Sequence, residues 1–416
     1  MQIPATQAGE PKTGLRDLPR NVWVVTITSF LTDISSEMII NLIPLFLSNV
    51  LGVRIGVVGL IEGIAETTSS LLKIFSGWLS DRLGERKWLT VAGYALSTLA
   101  KPLLYFANTW AWVLGVRFAD RVGKGIRTAP RDALIADSID ERHRGLAFGL
   151  HRAGDTAGAL VGLVIVVVVV WVAQGGGLAL TRATFQSVVL ISVFPAALAV
   201  LVLALGARDV PITGERQRPP SLSLRGFDVR FKRFLIIVVV FTLGNSSDAF
   251  LILRAQERGL SVLGVMVMLV TFNMVYMLVS GPAGALSDCI GRRQLIAGGW
   301  LAYGLIYLGF ALAGTAWQVW LLFALYGVYY GMSEGASKAV VADLVFPELR
   351  GTAYGLYNAA VGLTAFPASL IAGLLWQGIG GWEGLGPRAP FLFGAAMALI
   401  AVALLVWWLP RGDVAG

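Results

Sequence analysis

A charged segment, Gly77-Trp78-Leu79-Ser80-Asp81-Arg82-Leu83-Gly84-Glu85-Arg86-Lys87, directly follows a long apolar run. A weaker copy occurs in the second half of the chain, at Gly284-Ala285-Leu286-Ser287-Asp288-Cys289-Ile290-Gly291-Arg292-Arg293. In both hinge segments a glycine, a Ser-Asp pair, a second glycine and an arginine occupy the same places. A charged hinge that is used twice predicts a chain built from two related halves.

The composition is typical of a membrane protein. The chain has 416 residues, of which 56% are hydrophobic and 14% charged, and its mean hydropathy is +0.72. A soluble protein of this size carries about a quarter charged residues. Runs such as 161–172 are apolar without alternation, which favours helices over a β-barrel. The sequence therefore predicts an all-α membrane protein that crosses the bilayer many times.

Twelve segments are long and apolar enough to cross a bilayer as helices, which takes about 20 residues each. They are expected at 22–49, 55–80, 88–107, 111–135, 146–172, 184–206, 233–256, 262–286, 293–313, 317–342, 351–376 and 389–409. Most lysines and arginines of the connections fall on one side of this arrangement, and that side is expected to be cytoplasmic. An even number of spans then places both termini in the cytoplasm.

Further internal similarities support the division into halves. Ser35-Ser36-Glu37 resembles Ser246-Ser247-Asp248, and residues 136–150 resemble residues 342–356. Landmarks that recur in the same order indicate parallel repeats. The predicted organisation is two six-helix bundles at 1–207 and 233–416, joined by a basic, proline-containing cytoplasmic linker at 208–232.

The hinge segments resemble the signature that follows the second helix of major facilitator superfamily transporters, Gly-x-x-x-Asp-Arg-x-Gly-Arg-Arg-Lys/Arg. The matching positions are Gly77, Asp81, Arg82, Gly84, Arg86 and Lys87 in the first copy and Gly284, Asp288, Gly291, Arg292 and Arg293 in the second. The resemblance implies a bacterial, twelve-helix transporter in which these residues form a cytoplasmic gate. Each Asp would dock on the positive N-terminal end of a helix in the other half.

The fourth and fifth predicted helices resemble the family less closely. Arg117 is similar to the proton-linked arginine of the family, but Asp120 and Arg121 replace the Gln-Gly that follows it there. The fifth helix lacks the Gly-Pro pair typical of drug:proton antiporters. Export and uptake therefore both stay open as directions of transport.

Ionisable side chains inside a bilayer cost a few kcal/mol, so those within the predicted spans are candidate site residues. Asp33 and Glu37 lie four residues apart on one face of the first helix. Two neighbouring buried carboxylates repel each other, which suits them to gaining and losing a proton; the alternative is a structural pairing with bases of the fourth helix. Glu62 and Glu66 repeat this spacing on the second helix and are expected to couple protons, line an outer cavity or pair with Arg54.

The fourth helix is unusually basic. Arg117 and Arg121 are expected to line a cavity, where they tune Asp33 and Glu37 or hold an anionic group of a substrate. The remaining candidates are Asp120, Asp155 beside Arg152 on the fifth helix, and Asp248 in the middle of the seventh.

Two expectations concern structure rather than chemistry. Glycines at 154, 158 and 162 recur every four residues and are expected to form a contact face between the two halves. Arg254, near the outer end of the seventh helix, is expected to extend to the membrane surface.

These features predict a secondary active transporter that moves a small molecule across the bacterial inner membrane by proton-coupled alternating access. Export is slightly favoured because acidic residues crowd the first two helices. The alternative is a proton symporter that takes up a small polar or anionic solute, and a remote alternative is an intramembrane enzyme that uses a carboxylate pair.

The sequence also limits the partners. One cysteine and two histidines cannot assemble a His/Cys metal cage, and no other metal site or cofactor is expected. The net charge of +8 fits basic cytoplasmic loops and does not call for nucleic acid. The expected partners are a small-molecule substrate, protons and lipid, with a monomer as the expected state.

Overall fold

A computed structural model describes residues 18–140, 143–210, 223–290, 292–345 and 349–408. These residues form long helices and no β-strand, so the all-α prediction is confirmed. In chain order the helices are α1 (Arg20–Ile40), α2 (Ile55–Leu83), α3 (Lys87–Ala100), α4 (Trp110–Asp137), α5 (Arg144–Gln174), α6 (Arg182–Gly206), α7a (Val229–Gly244), α7b (Ala249–Glu257), α8 (Val262–Ile290), α9 (Arg292–Leu312), α10 (Ala316–Asp343), α11 (Arg350–Gln377) and α12 (Ala389–Trp408). Short helical turns extend α1 to Val50 and α3 to Phe106.

Many of these helices suit a bilayer. Within the described chain, nine helical segments are long and apolar enough to cross a membrane. Helices α3, α4 and α10 are not among them. In α4 charged side chains crowd the stretch between Arg117 and Asp132, which lowers its hydropathy.

The seventh span was expected at 233–256, and the structure has a candidate span there, Val229–Glu257, with a break that the sequence did not predict. The helix breaks at residues 245–248, between α7a and α7b. Asn and Ser side chains compete with the backbone for hydrogen bonds, which weakens a helix at such a sequence. The carbonyl of Gly244 accepts a hydrogen bond of 2.9 Å from the hydroxyl of Tyr303. The break leaves Asp248 as the N-cap residue of α7b.

The helices pack as two groups. Helices α1–α6 contact mainly one another, with α1 against α5 and α6 and α4 against α2 and α3. Helices α7–α12 form the second group, in which α8 packs on α10 and α9 packs on α10 and α12. The two groups meet chiefly where α2 packs along α11 and α5 along α8.

The contact between the groups uses different glycines from those expected. A Cβ atom at Gly158 of α5 would lie under 3.0 Å from the carbonyl oxygen of Phe30 in α1. The α5 glycines therefore seat α5 on α1 within the first group, and their predicted place between the halves was wrong. Between the groups, a Cβ atom at Gly59 of α2 would lie under 3.0 Å from the carbonyl oxygen of Ser369 in α11. Small residues allow these two backbones to approach closely.

Candidate functional site

A cavity of about 480 Å³ lies between the two helix groups. A cavity of this volume matches a small-molecule site. Acidic and basic side chains from the first group line one wall, and aromatic rings and amides from the second group line the other. The charged, amide and aromatic residues of the lining are Glu37, Asn41, Glu62, Glu66, Arg121, Asn245, Asp248, Phe272, Asn273, Phe323 and Tyr330.

Polar contacts hold the groups together at one end of the cavity. Asn49, after α1, and Gln256, in α7b, hydrogen-bond each other through their side-chain amides, and we call this pair the amide latch. Close by, the backbone N–H of Ile55 donates to the side-chain oxygen of Gln377 at 2.7 Å. The cavity is closed at this end.

The two groups separate toward the opposite end. Thr67 of α2 donates a hydrogen bond of 2.6 Å to the carbonyl of Gly362 in α11. Farther along α2, Gly77 faces Ala129 of α4 in its own group, and a Cβ atom at Gly355 of α11 would meet nothing within 4 Å. The described contacts between α2 and α11 thus extend from Gly56 and Gly373 to Ser70 and Gly362. This pattern indicates a cavity that opens toward the end with the first hinge segment.

Arg117 and Glu62 form a buried ion pair between α4 and α2. The Nη2 atom of Arg117 lies 2.8 Å from Oε1 and 2.6 Å from Oε2 of Glu62, and both side chains are less than a tenth exposed. One turn farther on, Nη2 of Arg121 lies 3.3 Å from Oε1 of Glu66. The shared i, i+4 spacing on both helices aligns the two pairs in parallel.

These pairings differ from the expected ones. The sequence suggested that Arg117 and Arg121 tune Asp33 and Glu37 or hold an anionic group of a substrate, and it did not predict their ion pairs with the two α2 glutamates. Arg54 pairs with neither glutamate among the described ion pairs. The side chain of Glu66 is 44% exposed, whereas both side chains of the Arg117 pair are buried. Glu62, Glu66 and Arg121 line the cavity, and Arg117 does not.

Among the described residues, Asp33 and Glu37 have no basic ion-pair partner. No ion pair or hydrogen bond among the described residues involves the Asp33 side chain, and Glu37 accepts one hydrogen bond, of 2.9 Å, from Asn41 one turn away. Both carboxylates line a small pocket beside Lys101 and Lys124, next to the main cavity. The arrangement holds two carboxylates close to positive charge without neutralising them in a pair.

Sequence reasoning missed Lys101, although a lysine inside a predicted apolar span was a usable signal. Its Nζ donates to the hydroxyls of Ser35 and Ser36 at 2.9 and 3.0 Å, and the residue is buried. Lys101 thus connects the end of α3 to the helix that carries Asp33.

Asp120 belongs to a polar network inside the first group. It accepts a hydrogen bond of 2.6 Å from Ser97 of α3, and that hydroxyl accepts another from Arg127 at 3.0 Å. The Arg127 guanidinium also lies 4.4 Å from the ring centre of Tyr94. This network ties α3 to α4.

Asp155 lies 3.6 Å from His151 one turn away on α5. The neighbouring Arg152 donates from its guanidinium to the hydroxyl of Tyr276 in α8 at 2.6 Å. Arg152 therefore makes a polar contact between the two groups.

Asp248 lies among tyrosines. The hydroxyl of Tyr326 in α10 donates to its Oδ1 at 2.9 Å, and none of the described ion pairs involves this carboxylate. The surrounding rings stack or meet edge to face, which the sequence analysis did not foresee. They are Phe272, Tyr303, Tyr307, Phe323, Tyr326, Tyr329 and Tyr330.

Several residues of the predicted cytoplasmic gate are not among the described residues. Gly291, and the side-chain surroundings of Asp81, Gly284, Asp288 and Arg292, lie outside the described residues. Gly84 has a φ of 73° and ends α2 in the left-handed conformation that favours glycine.

The described basic residues of the hinge segments bind within their own helix group. Arg86 Nε lies 2.6 Å from Asp137, and the backbone N–H groups of Arg86 and Lys87 donate to Asp209. Arg82 lies over the ring of Trp78. Arg293 donates to backbone carbonyls at the end of α12.

Arg254 does not extend to the membrane surface, so that prediction was wrong. Its side chain is fully buried, pairs with Glu257, and donates to the carbonyls of Phe310, Ala311 and Ala313 at 3.1 to 3.3 Å. A helix end leaves carbonyls without partners, and the guanidinium caps those at the end of α9.

Comparison with known proteins agrees with this geometry. The sequence profile of the Major Facilitator Superfamily matches residues 25–252 and 233–415. The chain belongs to the major facilitator superfamily. It is 35% identical over 398 residues to an uncharacterised MFS-type transporter of Methanocaldococcus jannaschii, covering 94% of this chain and 96% of that protein.

Two further proteins extend the comparison. The multi-drug resistance efflux pump PmrA of Streptococcus pneumoniae is 26% identical over 329 residues, which cover 76% of this chain and 78% of the pump. A crystal structure of the nucleoside transporter NupG superposes with a TM-score of 0.76 at 12% identity, over 94% of this chain and 100% of that one, and shows the shared fold. Membership in this transporter family, together with the 35% identical MFS-type transporter, sets the intramembrane enzyme aside.

Proposed function

We propose that this protein is a proton-coupled secondary transporter that exports a small molecule by alternating access. It acts as a monomer in the bacterial inner membrane, with twelve spans and both termini in the cytoplasm. Residues 1–207 and 233–416 form the two bundles that move against each other, and residues 208–232 link them. The positive-inside distribution of Lys and Arg supports this orientation.

The observation that carries the proposal is the state of Asp33 and Glu37. Most acidic groups of the first bundle are engaged by ion pairs or hydrogen bonds, as Glu62, Glu66 and Asp120 are. Asp33 and Glu37 have no basic partner among the described residues, yet they lie beside the cavity and near Lys101. A carboxylate that is not locked in a pair is able to take up and release a proton as access alternates.

The cavity geometry supports alternating access. The closed end is held by the amide latch and the α2–α11 contact, and the open end lies toward the hinge segments. With the proposed orientation this is an inward-facing conformation. In the outward-facing conformation the hinge segments would close the cytoplasmic end, with Asp81 and Asp288 docked on helix N-termini of the opposite bundle.

The acidic and aromatic lining of the cavity favours export of an amphipathic or cationic compound, and the similarity to an efflux pump agrees with this direction. Uptake of a small anionic solute by symport is the second candidate, because Arg121 lines the same cavity.

The test is proton flux in proteoliposomes loaded with a pH-sensitive dye. We expect at least one compound of a chemically broad set to change the internal pH when it is added across an imposed pH gradient. The pH change should be absent in protein-free vesicles. Absence of compound-dependent proton flux across the set, in both directions of the gradient, would contradict the proposal. The sign of the flux separates antiport from symport.

A further inference from the structure

The wall that the second helix group contributes to the cavity contains a carboxylate in unusual surroundings. Asp248 lies directly after the break in α7, where residues 245–247 are not helical. Its one hydrogen bond among the described contacts comes from a neutral donor, the Tyr326 hydroxyl at 2.9 Å. No described basic side chain lies within ion-pair distance. Among the described residues, this carboxylate therefore lies at the cavity without a countercharge.

The charges across the cavity do not supply one. Of the described basic side chains, Arg121 is the one that lines the cavity, and it is paired with Glu66. Glu62 also lines the cavity, and it is paired with Arg117. Once these pairs are counted as neutral, the described lining residues leave two carboxylates, Glu37 and Asp248, and no unpaired base.

Aromatic rings flank Asp248 in the cavity wall. Phe272, Phe323 and Tyr330 all line the cavity. The ring of Phe272 lies 5.3 Å from that of Phe323 and 5.6 Å from that of Tyr330, both edge to face. Edge-to-face packing against neighbours fixes the orientation of these rings. Aromatic faces attract cations and also cover flat apolar groups.

We infer that Asp248, Phe272, Phe323 and Tyr330 form a subsite for an organic cation with an apolar body. The carboxylate provides the countercharge, and the three rings bind the apolar body and the diffuse positive charge. The inference rests on the proposed function in one respect, since it assigns the substrate class of the same cavity. It does not depend on proton coupling.

The experiment compares two probes of the same shape and opposite charge, tetraphenylphosphonium and tetraphenylborate. Binding to the purified full-length protein in detergent is measured by equilibrium dialysis, with protein-free micelles subtracted. The parent should bind the cation more tightly than the anion. Asp248→Asn should weaken cation binding by roughly tenfold, as expected for loss of a charge partner inside a cavity, and Asp248→Glu should restore part of it.

Two further sets of variants complete the experiment. Phe272→Leu and Tyr330→Leu should each weaken cation binding by about threefold. Asp140→Asn, which removes an exposed loop carboxylate, is the matched control and should bind both probes as the parent does. Melting temperatures identify any variant that fails to fold. If Asp248→Asn does not fold, Asp248→Glu and the two ring variants test the subsite instead.

Three results would overturn the subsite. They are equal binding of both probes by the parent, unchanged cation binding by Asp248→Asn, and equal losses for cation and anion in the ring variants. Because dialysis involves no gradient, these results do not depend on proton coupling. If the protein fails this test but shows compound-dependent proton flux, the subsite is wrong and the proposed function stands. If it binds the cation selectively but shows no flux, the subsite stands and the proposed function is wrong.

Discussion

Asn49 and Gln256 exchange hydrogen bonds through their side-chain amides, with Nδ2 of Asn49 3.0 Å from Oε1 of Gln256 and Nε2 of Gln256 2.7 Å from Oδ1 of Asn49. The same two side-chain amides also bind the α5–α6 loop. Asn49 accepts a hydrogen bond from the N–H of Leu180, and Gln256 donates one to the carbonyl of Leu178. One amide pair thus joins the end of α1, α7b and that loop. All partners are neutral, so the latch is able to open without separating charges.

Gln256→Ala should favour the conformation that is open at the latch end. Each neutral hydrogen bond contributes about 1 kcal/mol net, so loss of the latch should shift the population by roughly tenfold. The readout is the labelling rate of Ile252→Cys, a buried cavity position of α7b, by an impermeant thiol reagent in a Cys289→Ser background. Gln186→Ala is the matched control, since its amide binds the carbonyl of Tyr105 within one helix group. Equal labelling of Gln256→Ala and the control would contradict the latch.

The Arg117–Glu62 pair should be costly to break from one side. Arg117→Leu leaves the Glu62 carboxylate buried without a partner, and such a loss costs about 3 to 5 kcal/mol. The double variant Arg117→Leu with Glu62→Leu should recover much of this stability, because it removes both charges. Arg121→Leu is the comparison and should cost less, since its partner Glu66 is 44% exposed. The measurement is thermal unfolding in detergent, and a double variant no more stable than Arg117→Leu would argue against the pair as the cause.

Two close glycine contacts should have separable effects. Gly59→Ala pushes α2 away from α11, so it should speed labelling of Ile252→Cys from the latch end. Gly158→Ala pushes α5 away from α1 inside one group, so it should lower the melting temperature without that change in labelling. Gly115→Ala, where an added Cβ atom meets nothing within 4 Å, should stabilise α4 by about 0.5–1 kcal/mol. Indistinguishable labelling of the first two variants would show that the α2–α11 contact does not govern closure.

The gate prediction concerns the other conformation. A Cβ atom at Gly145 of α5 or Gly355 of α11 would meet nothing within 4 Å, so these helices have free space near their N-termini in this structure. Asp81→Asn weakens the proposed docking on α11 and should therefore favour the conformation seen here. A cysteine introduced at Gly355 should then react faster with a thiol reagent from the hinge side than in the parent. An unchanged rate would count against Asp81 as a gate residue.

The positions of the long helices could be predicted from the sequence, because long apolar runs between charged or polar connections have few alternatives to a helix in a bilayer. The break in α7 was missed even though Asn245, Ser246 and Ser247 are weak helix formers, because the surrounding apolar run outweighed them. Asp33 and Glu37 were found as candidates because acids in an apolar span are rare.

The partners of the charged residues could not be found in the same way. Spacing along one helix shows which side chains share a face, but not which helix that face meets, so Arg117 was linked to Asp33 rather than to Glu62. Arg254 was expected at the membrane surface because it lies near the end of its helix. The carbonyls that it caps belong to α9, far away in sequence, so the capping could not be predicted. The tyrosines around Asp248 are likewise gathered from separate helices.

The most direct test of proton coupling compares exchange with accumulation in proteoliposomes, using a substrate found by the flux experiment. Exchange of labelled for unlabelled substrate needs no net proton movement, whereas accumulation driven by a pH gradient does. Asp33→Asn or Glu37→Gln should retain exchange and lose gradient-driven accumulation, while Asp140→Asn should keep both. If Asp33→Asn and Glu37→Gln each accumulate substrate as the parent does, the assignment of proton coupling to these two carboxylates is wrong.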